Sequence, residues 1–186
     1  MIMQRDFSYE IEMKSILSDE QYDLLKNKLP KIMKLVNKES LHTSKFMSET
    51  GEDIRLRHSE TKFELVYKTG KVTDIARKES ITKLKSKQEI DSFICIFRAL
   101  QFIEEPSWIT HRRNFEYNFD NNNYFVSLQD TENFAKILEV EFNTEKEENM
   151  DFHKAQIKKI IKSLDCKPIN SEKFHQEIKK YIEKNK

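Results

Sequence analysis

The chain has 186 residues, one domain's worth of sequence. Charged residues make up 35%, yet 33 Lys and Arg against 32 Asp and Glu leave a net charge of +1, which argues against a nucleic-acid track. Its two glycines, Gly51 and Gly70, exclude glycine-rich dinucleotide and Walker A loops, and Cys95 and Cys166 lie too far apart for a CxxC zinc site.

The first predicted strand, 7–15, alternates cleanly. Phe7, Tyr9, Ile11 and Met13 share one face, and Ser8, Glu10, Glu12 and Lys14 share the other. Ser18 with Gln21 forms a capping box that opens a helix, which should stop at or kink near Pro30. Strands are then expected at 41–47, 53–59, 62–69 and 72–82. In the second of these Ile54 and Leu56 oppose Asp53, Arg55 and Arg57, and in the third Phe63, Leu65 and Tyr67 oppose Lys62, Glu64 and Lys68. Glu-Thr-Gly-Glu at 49–52, Ser-Glu-Thr at 59–61 and Thr-Gly-Lys at 69–71 suit tight turns.

Ser86 with Glu89 opens a second helix carrying Ile90, Phe93, Ile94, Phe97 and Leu100, and Cys95 is expected in the core beneath it. Three more strands follow at 107–119, 123–130 and 136–143, the first two joined by a turn at 120–123. Phe115, Tyr117 and Phe119 oppose Arg112, Asn114 and Glu116, while Leu138, Val140 and Phe142 oppose Glu139 and Glu141. Trp108 is expected to pack under a helix, the other reading being that it stacks a heterocyclic ring at the mouth of the sheet's interior. Thr144 with Glu147 and then Ser171 open two C-terminal helices with apolar stripes.

A solvated charged face is the usual meaning of such alternation. Two features favour another arrangement. The amphipathic helices need an apolar sheet face to cover, and the polar faces mix dense Glu with dense Arg and Lys, strand after strand. A closed sheet of about eight strands, apolar outside and charged inside, satisfies both. The expectation is a single α+β domain over 1–186, with strands in about 7–143 and helices in 144–186.

These residues resemble a known family. Glu10-Ile11-Glu12-Met13-Lys14 reads as the ExExK signature of the CYTH superfamily, the triphosphate tunnel metalloenzymes. In order along the chain, Arg55-Leu56-Arg57 resembles its RxR strand, 63–70 the strand ending in its Lys (Lys68), and Arg77-Lys78-Glu79 its RxE. Arg112 stands as the Arg of its KxRxxY, and Glu139-Val140-Glu141 resembles the closing ExE. Thr110, Phe115 and Gln129 stand where the family usually has Lys, Tyr and an inward Asp.

The resemblance implies an eight-stranded antiparallel barrel that binds a triphosphate compound with Mg²⁺ or Mn²⁺. Arg55, Arg57, Arg77 and Arg112 would hold phosphate, with Lys14 and Lys68 as point charges and catalytic groups. Glu10, Glu12, Glu139 and Glu141, with Glu79 behind them, would ligate metal; Glu64 and Glu116 are further candidates. The implied reaction is hydrolysis of tripolyphosphate, thiamine triphosphate or a nucleoside triphosphate. The alternatives are a class IV-type adenylyl cyclase, an RNA 5′-triphosphatase, which the near-neutral charge disfavours, and a non-catalytic triphosphate-binding module. With no apolar leader and no stretch of about 20 apolar residues, the expected setting is cytoplasmic and without membrane contact, as a monomer or homodimer.

Overall fold

The computed structural model describes residues 8–48, 53–69, 74–145 and 149–184. The expected start of the first strand at Phe7, the turn at 49–52, both glycines and Glu147 lie outside the described residues. Eight strands close into an antiparallel barrel in the order β1-β5-β4-β3-β2-β6-β7-β8. They are β1 (Ser8–Leu17), β2 (Lys34–Met47), β3 (Asp53–His58), β4 (Phe63–Lys68), β5 (Ala76–Lys83), β6 (Ile103–Phe119), β7 (Asn122–Thr131) and β8 (Ala135–Thr144). Four helices lie outside: α1 (Asp19–Ile32), α2 (Lys87–Ala99), α3 (Met150–Ser163) and α4 (Ser171–Lys184).

Local chemistry explains most of the boundaries. The Ser18 hydroxyl accepts from the Gln21 amide at 3.2 Å, and the Gln21 side chain accepts from the Ser18 amide at 3.1 Å. Two orphan donors of the first turn are thereby satisfied. Pro30 sits inside α1, which ends two residues later at Ile32. Asp120 and Asn121, at φ 52° and 59°, form the two-residue turn between β6 and β7. Residue types that tolerate the left-handed region suit such a hairpin.

The apolar faces point outward and are covered by helices. One cluster joins Ile11, Leu128, Leu138 and Val140 of the barrel to Leu25 and Leu29 of α1 and to Ile157, Ile160 and Ile161 of α3. A second joins Phe46 and Leu56 to Ile90 and Phe97 of α2. The core therefore lies between barrel and helices, and the interior is left to the charged faces.

Several expectations are corrected. β2 begins at Lys34 rather than 41, because the long β6 pairs with it from Glu116 onward. β6 itself begins at Ile103, and its register against β2 shifts between Thr43 and Lys45, where Pro106 and Ser107 stand opposite Ser44. A proline has no amide proton for the ladder, so a bulge is its natural place in a sheet. Thr144 caps no helix: it ends β8, paired with Tyr9, and α3 starts after Asn149. Cys95 is exposed on α2, off the stripe formed by Ile90, Phe93, Ile94 and Phe97. Both cysteines are free.

Candidate active site

Strand alternation sends every second side chain into the barrel. The pairing register then sets Glu12 beside Glu141, Lys14 beside Glu139, and Lys68 beside Glu79. Glu10, Glu12, Lys14, Arg55, Arg57, Lys68, Arg77, Arg112, Glu139 and Glu141 line one cavity of about 720 Å³. Its walls are unlike each other. Carboxylates gather on β1 and β8, and guanidinium groups gather on β3, β5 and β6.

On the acidic wall, Glu10, Glu12 and Glu141 each offer an oxygen within 4.8 Å of the others. Burial beside Glu10, Glu139 and Glu12 pushes the Glu141 carboxyl up to about 8. Burial and the charge of Glu12 also raise Glu10, although Lys68 donates to it and pulls the other way. Burial opposes ionisation of Glu12 too, but Lys14 at 2.6 Å and Lys68 outweigh it and hold this carboxyl well below the usual range. Three crowded carboxylates, two of them driven toward protonation, fit a hard cation that prefers oxygen ligands. The donor set thus suits a divalent cation that prefers oxygen.

The other two expected ligands are turned toward other partners. Glu139 takes Lys14 at 2.9 Å and the Gln129 amide at 2.8 Å. Glu79 is buried, 3.3 Å from Lys68. Glu64 lies 3.5 Å from Lys62, and Glu116 lies 2.8 Å from Lys34, so neither joins the carboxylate group.

The basic wall holds unused donors. Nε of Arg57, Nε of Arg112 and Nη2 of Arg77 are buried without a hydrogen-bond partner. Among the described residues, Arg57 and Arg112 make no ion pair. Burial, then the charges of Arg55 and Arg112, push the Arg57 guanidinium below its ordinary value. Unpaired buried cations are costly, and a polyanion relieves that cost.

Sequence reasoning missed the group that orders this wall. Asp53 is fully buried and accepts from Arg55 Nε and Nη2 at 2.9 and 2.7 Å and from Arg77 Nη1 at 3.1 Å. Alternation had put it on the face of Arg55 and Arg57, which was the available signal. Lys45, paired with Glu105 at 2.8 Å, also lines the cavity. Trp108, expected under a helix, is half-buried and lines the cavity instead.

The three departures fall in different places. Thr110 faces inward and shares a 3.1 Å hydrogen bond with Thr131. Gln129 faces inward and steadies Glu139. Phe115 is fully buried in the outer core, so a hydroxyl there would not have reached the cavity.

A family model for the CYTH domain matches residues 8–173. No curated protein matches the sequence. Among solved structures, a protein of Pyrococcus horikoshii superposes with a TM-score of 0.68 at 17% identity, covering 86% of this chain and 92% of its own. An adenylyl cyclase candidate of Hippeastrum, described with a dominant triphosphatase activity, has a TM-score of 0.57 at 15% identity, with 88% and 90% covered. The Mimivirus capping enzyme triphosphatase has a TM-score of 0.54 at 8% identity, with 86% and 90% covered. At these identities the structural likeness establishes the fold.

Proposed function

The chain belongs to the CYTH domain family, and we propose that it is a divalent-metal-dependent enzyme hydrolysing a triphosphate compound inside its barrel. One observation carries this reading. Buried guanidinium N–H groups of Arg57, Arg77 and Arg112 lack partners on one wall, and Glu10, Glu12 and Glu141 crowd together on the other. A polyphosphate with a metal ion complements both walls at once.

Arginine forks match phosphate oxygens in geometry and charge. Arg57 and Arg112 hold the chain of phosphates, and Asp53 fixes Arg55 and Arg77 in place. A divalent cation held by Glu10, Glu12 and Glu141 would supply charge neutralisation at the phosphate oxygens and acidify a bound water. Lys14 lies between Glu12 and Glu139. Burial works against its charge, but these two carboxylates outweigh it and keep the ammonium above its ordinary range. Lys14 therefore serves as a fixed positive charge beside the transferring group rather than as a proton acceptor. Lys68, bonded to Glu10, ties the basic side of the tunnel to the acidic side.

The test is a panel of tripolyphosphate, thiamine triphosphate and ATP, each with Mg²⁺ and with Mn²⁺, read by product. Metal-dependent release of orthophosphate supports hydrolysis. Cyclic AMP from ATP would make the protein a cyclase, and tight binding without turnover would make it a binding module. Neither binding nor turnover of any of the three would overturn the reading.

A further inference from the structure

We propose that Asp53 is a positioning residue that limits the length of polyphosphate the tunnel favours, by holding the Arg55 fork away from the phosphates. The inference rests on the triphosphate reading of the tunnel and adds a limit to it.

β3 carries Asp53, Arg55 and Arg57 on one face. Asp53 is fully buried, whereas Arg55 and Arg57 line the cavity. The Asp53 carboxylate accepts from both Nε and Nη2 of Arg55, at 2.9 and 2.7 Å, which folds that side chain back along its own strand. A carboxylate engages these two nitrogens in the bidentate geometry that a phosphate group uses. The fork of Arg55 is therefore already filled, by a group the chain itself supplies.

The neighbours of Asp53 share its charge unequally. Burial works against its ionisation, but Arg55, Lys45 and Arg77 outweigh burial and hold the carboxyl well below the usual carboxylate range. Arg77 gives only Nη1 to Asp53 and is tied a second time, from Nε to the Thr69 carbonyl at 3.2 Å. Lys45 stands directly across from Arg55 on β2 and is taken by Glu105 at 2.8 Å. One row of the basic wall is thus neutralised from within. Arg57, the next inward residue of β3, keeps a buried Nε without a partner, as does Arg112.

This arrangement divides the wall. Phosphates meet open donors at Arg57, Arg112 and Nη2 of Arg77. A further phosphate group meets an occupied fork and a row whose charge is cancelled. Bringing one more anion out of water is costly without a partner, so affinity stops rising with chain length. Removing the charge of Asp53 releases Arg55, because both of its bonded nitrogens lie on that one carboxylate, while Arg77 stays on Thr69.

Calorimetry with Mg²⁺ in excess gives dissociation constants for pyrophosphate, tripolyphosphate and tetrapolyphosphate, on wild type, Asp53→Asn and the double variant Asp53→Asn with Arg55→Gln. In wild type the affinity should rise from pyrophosphate to tripolyphosphate and level there, with tetrapolyphosphate binding no tighter. In Asp53→Asn tetrapolyphosphate should bind about tenfold tighter than tripolyphosphate, the worth of roughly one charge-assisted hydrogen bond. The double variant should level at tripolyphosphate again, since the cation that produced the gain is gone. A merely structural role for Asp53 weakens all three ligands alike in Asp53→Asn and leaves the length profile unchanged; that result would overturn the proposal. Persistence of the gain in the double variant would overturn it too. So would wild type that itself binds tetrapolyphosphate about tenfold tighter than tripolyphosphate, a result that needs no variant to fold. Failure of wild type to bind tripolyphosphate would instead overturn the triphosphate reading.

Discussion

Glu141 lies against Glu10, Glu12 and Glu139, and burial beside them lifts its pKa to about 8. A carboxyl whose folded pKa exceeds its unfolded value favours the native state at low pH. That contribution fades as pH rises from the ordinary carboxylate value and is gone above about 8. Glu141→Gln is neutral at every pH, so in metal-free buffer near about pH 9 it should melt above wild type. It should also lose the stabilisation that Mg²⁺ or Mn²⁺ gives wild type by mass action. Thermal melts with and without metal check both expectations, and an unchanged metal shift takes Glu141 out of the cation site. Arg55, Arg57 and Glu141 were legible in the sequence because alternation and motif order placed them inward. Asp53 shared that face yet carried no motif, and its part became visible only when Arg77 of a different strand was brought to 3.1 Å.

Helix α3 is docked through His153, which stacks on Phe142 at 3.6 Å and shares a 3.0 Å hydrogen bond from Nδ1 to the Tyr124 hydroxyl. Burial lowers the pKa of this imidazole. The native state therefore prefers neutral His153, and the unfolded chain takes up the proton first as pH falls. Stability from this contact is present above the ordinary histidine pKa and declines as pH drops through about 6.5. Hydrogen exchange in α3 should accelerate between about pH 7 and pH 5, and His153→Phe should flatten that dependence. At α1, Ser18→Ala removes one half of the capping box and should cost about 1 kcal/mol, read from denaturant midpoints. Ser18 and Ser86 were recognisable as helix starts because the side-chain bond follows from spacing alone. Thr144 met the same spacing with Glu147 and failed, since strand pairing with Tyr9 claims its backbone. The early start of β2 was equally hidden: 34–40 shows no alternation, and only the length of β6 draws it into the sheet.

The whole barrel is inverted relative to a soluble sandwich, with apolar residues outside under helices and charge inside. Ile11 shows the consequence. It is fully buried in the outer core with Ile157 and Ile160 of α3. Ile11→Asp places an unpaired charge there and should abolish cooperative folding, whereas alanine at its neighbours Glu10 or Glu12 should leave the fold intact and weaken metal binding. Circular dichroism melts separate the two outcomes. This inversion was legible because acidic and basic residues alternate with apolar ones on successive strands while amphipathic helices need an apolar sheet face to cover, and a closed sheet satisfies both. The placement of α4 and Trp108 was not, because a 3.6-residue stripe says that a helix packs without saying on what.

The central claim is that the tunnel holds a triphosphate through cations that the protein leaves unpaired. Calorimetric titration of tripolyphosphate with Mg²⁺ into wild type and Arg57→Ala tests it most directly. Charge-assisted hydrogen bonds are worth about 1.5–3 kcal/mol each. Wild type should bind, and the variant should bind ten- to a hundredfold more weakly, by about 1.4–2.8 kcal/mol. Its melting temperature without ligand should not fall, because the guanidinium removed is crowded by Arg55 and Arg112. Absence of heat in wild type, or equal affinity in wild type and Arg57→Ala, would contradict the claim.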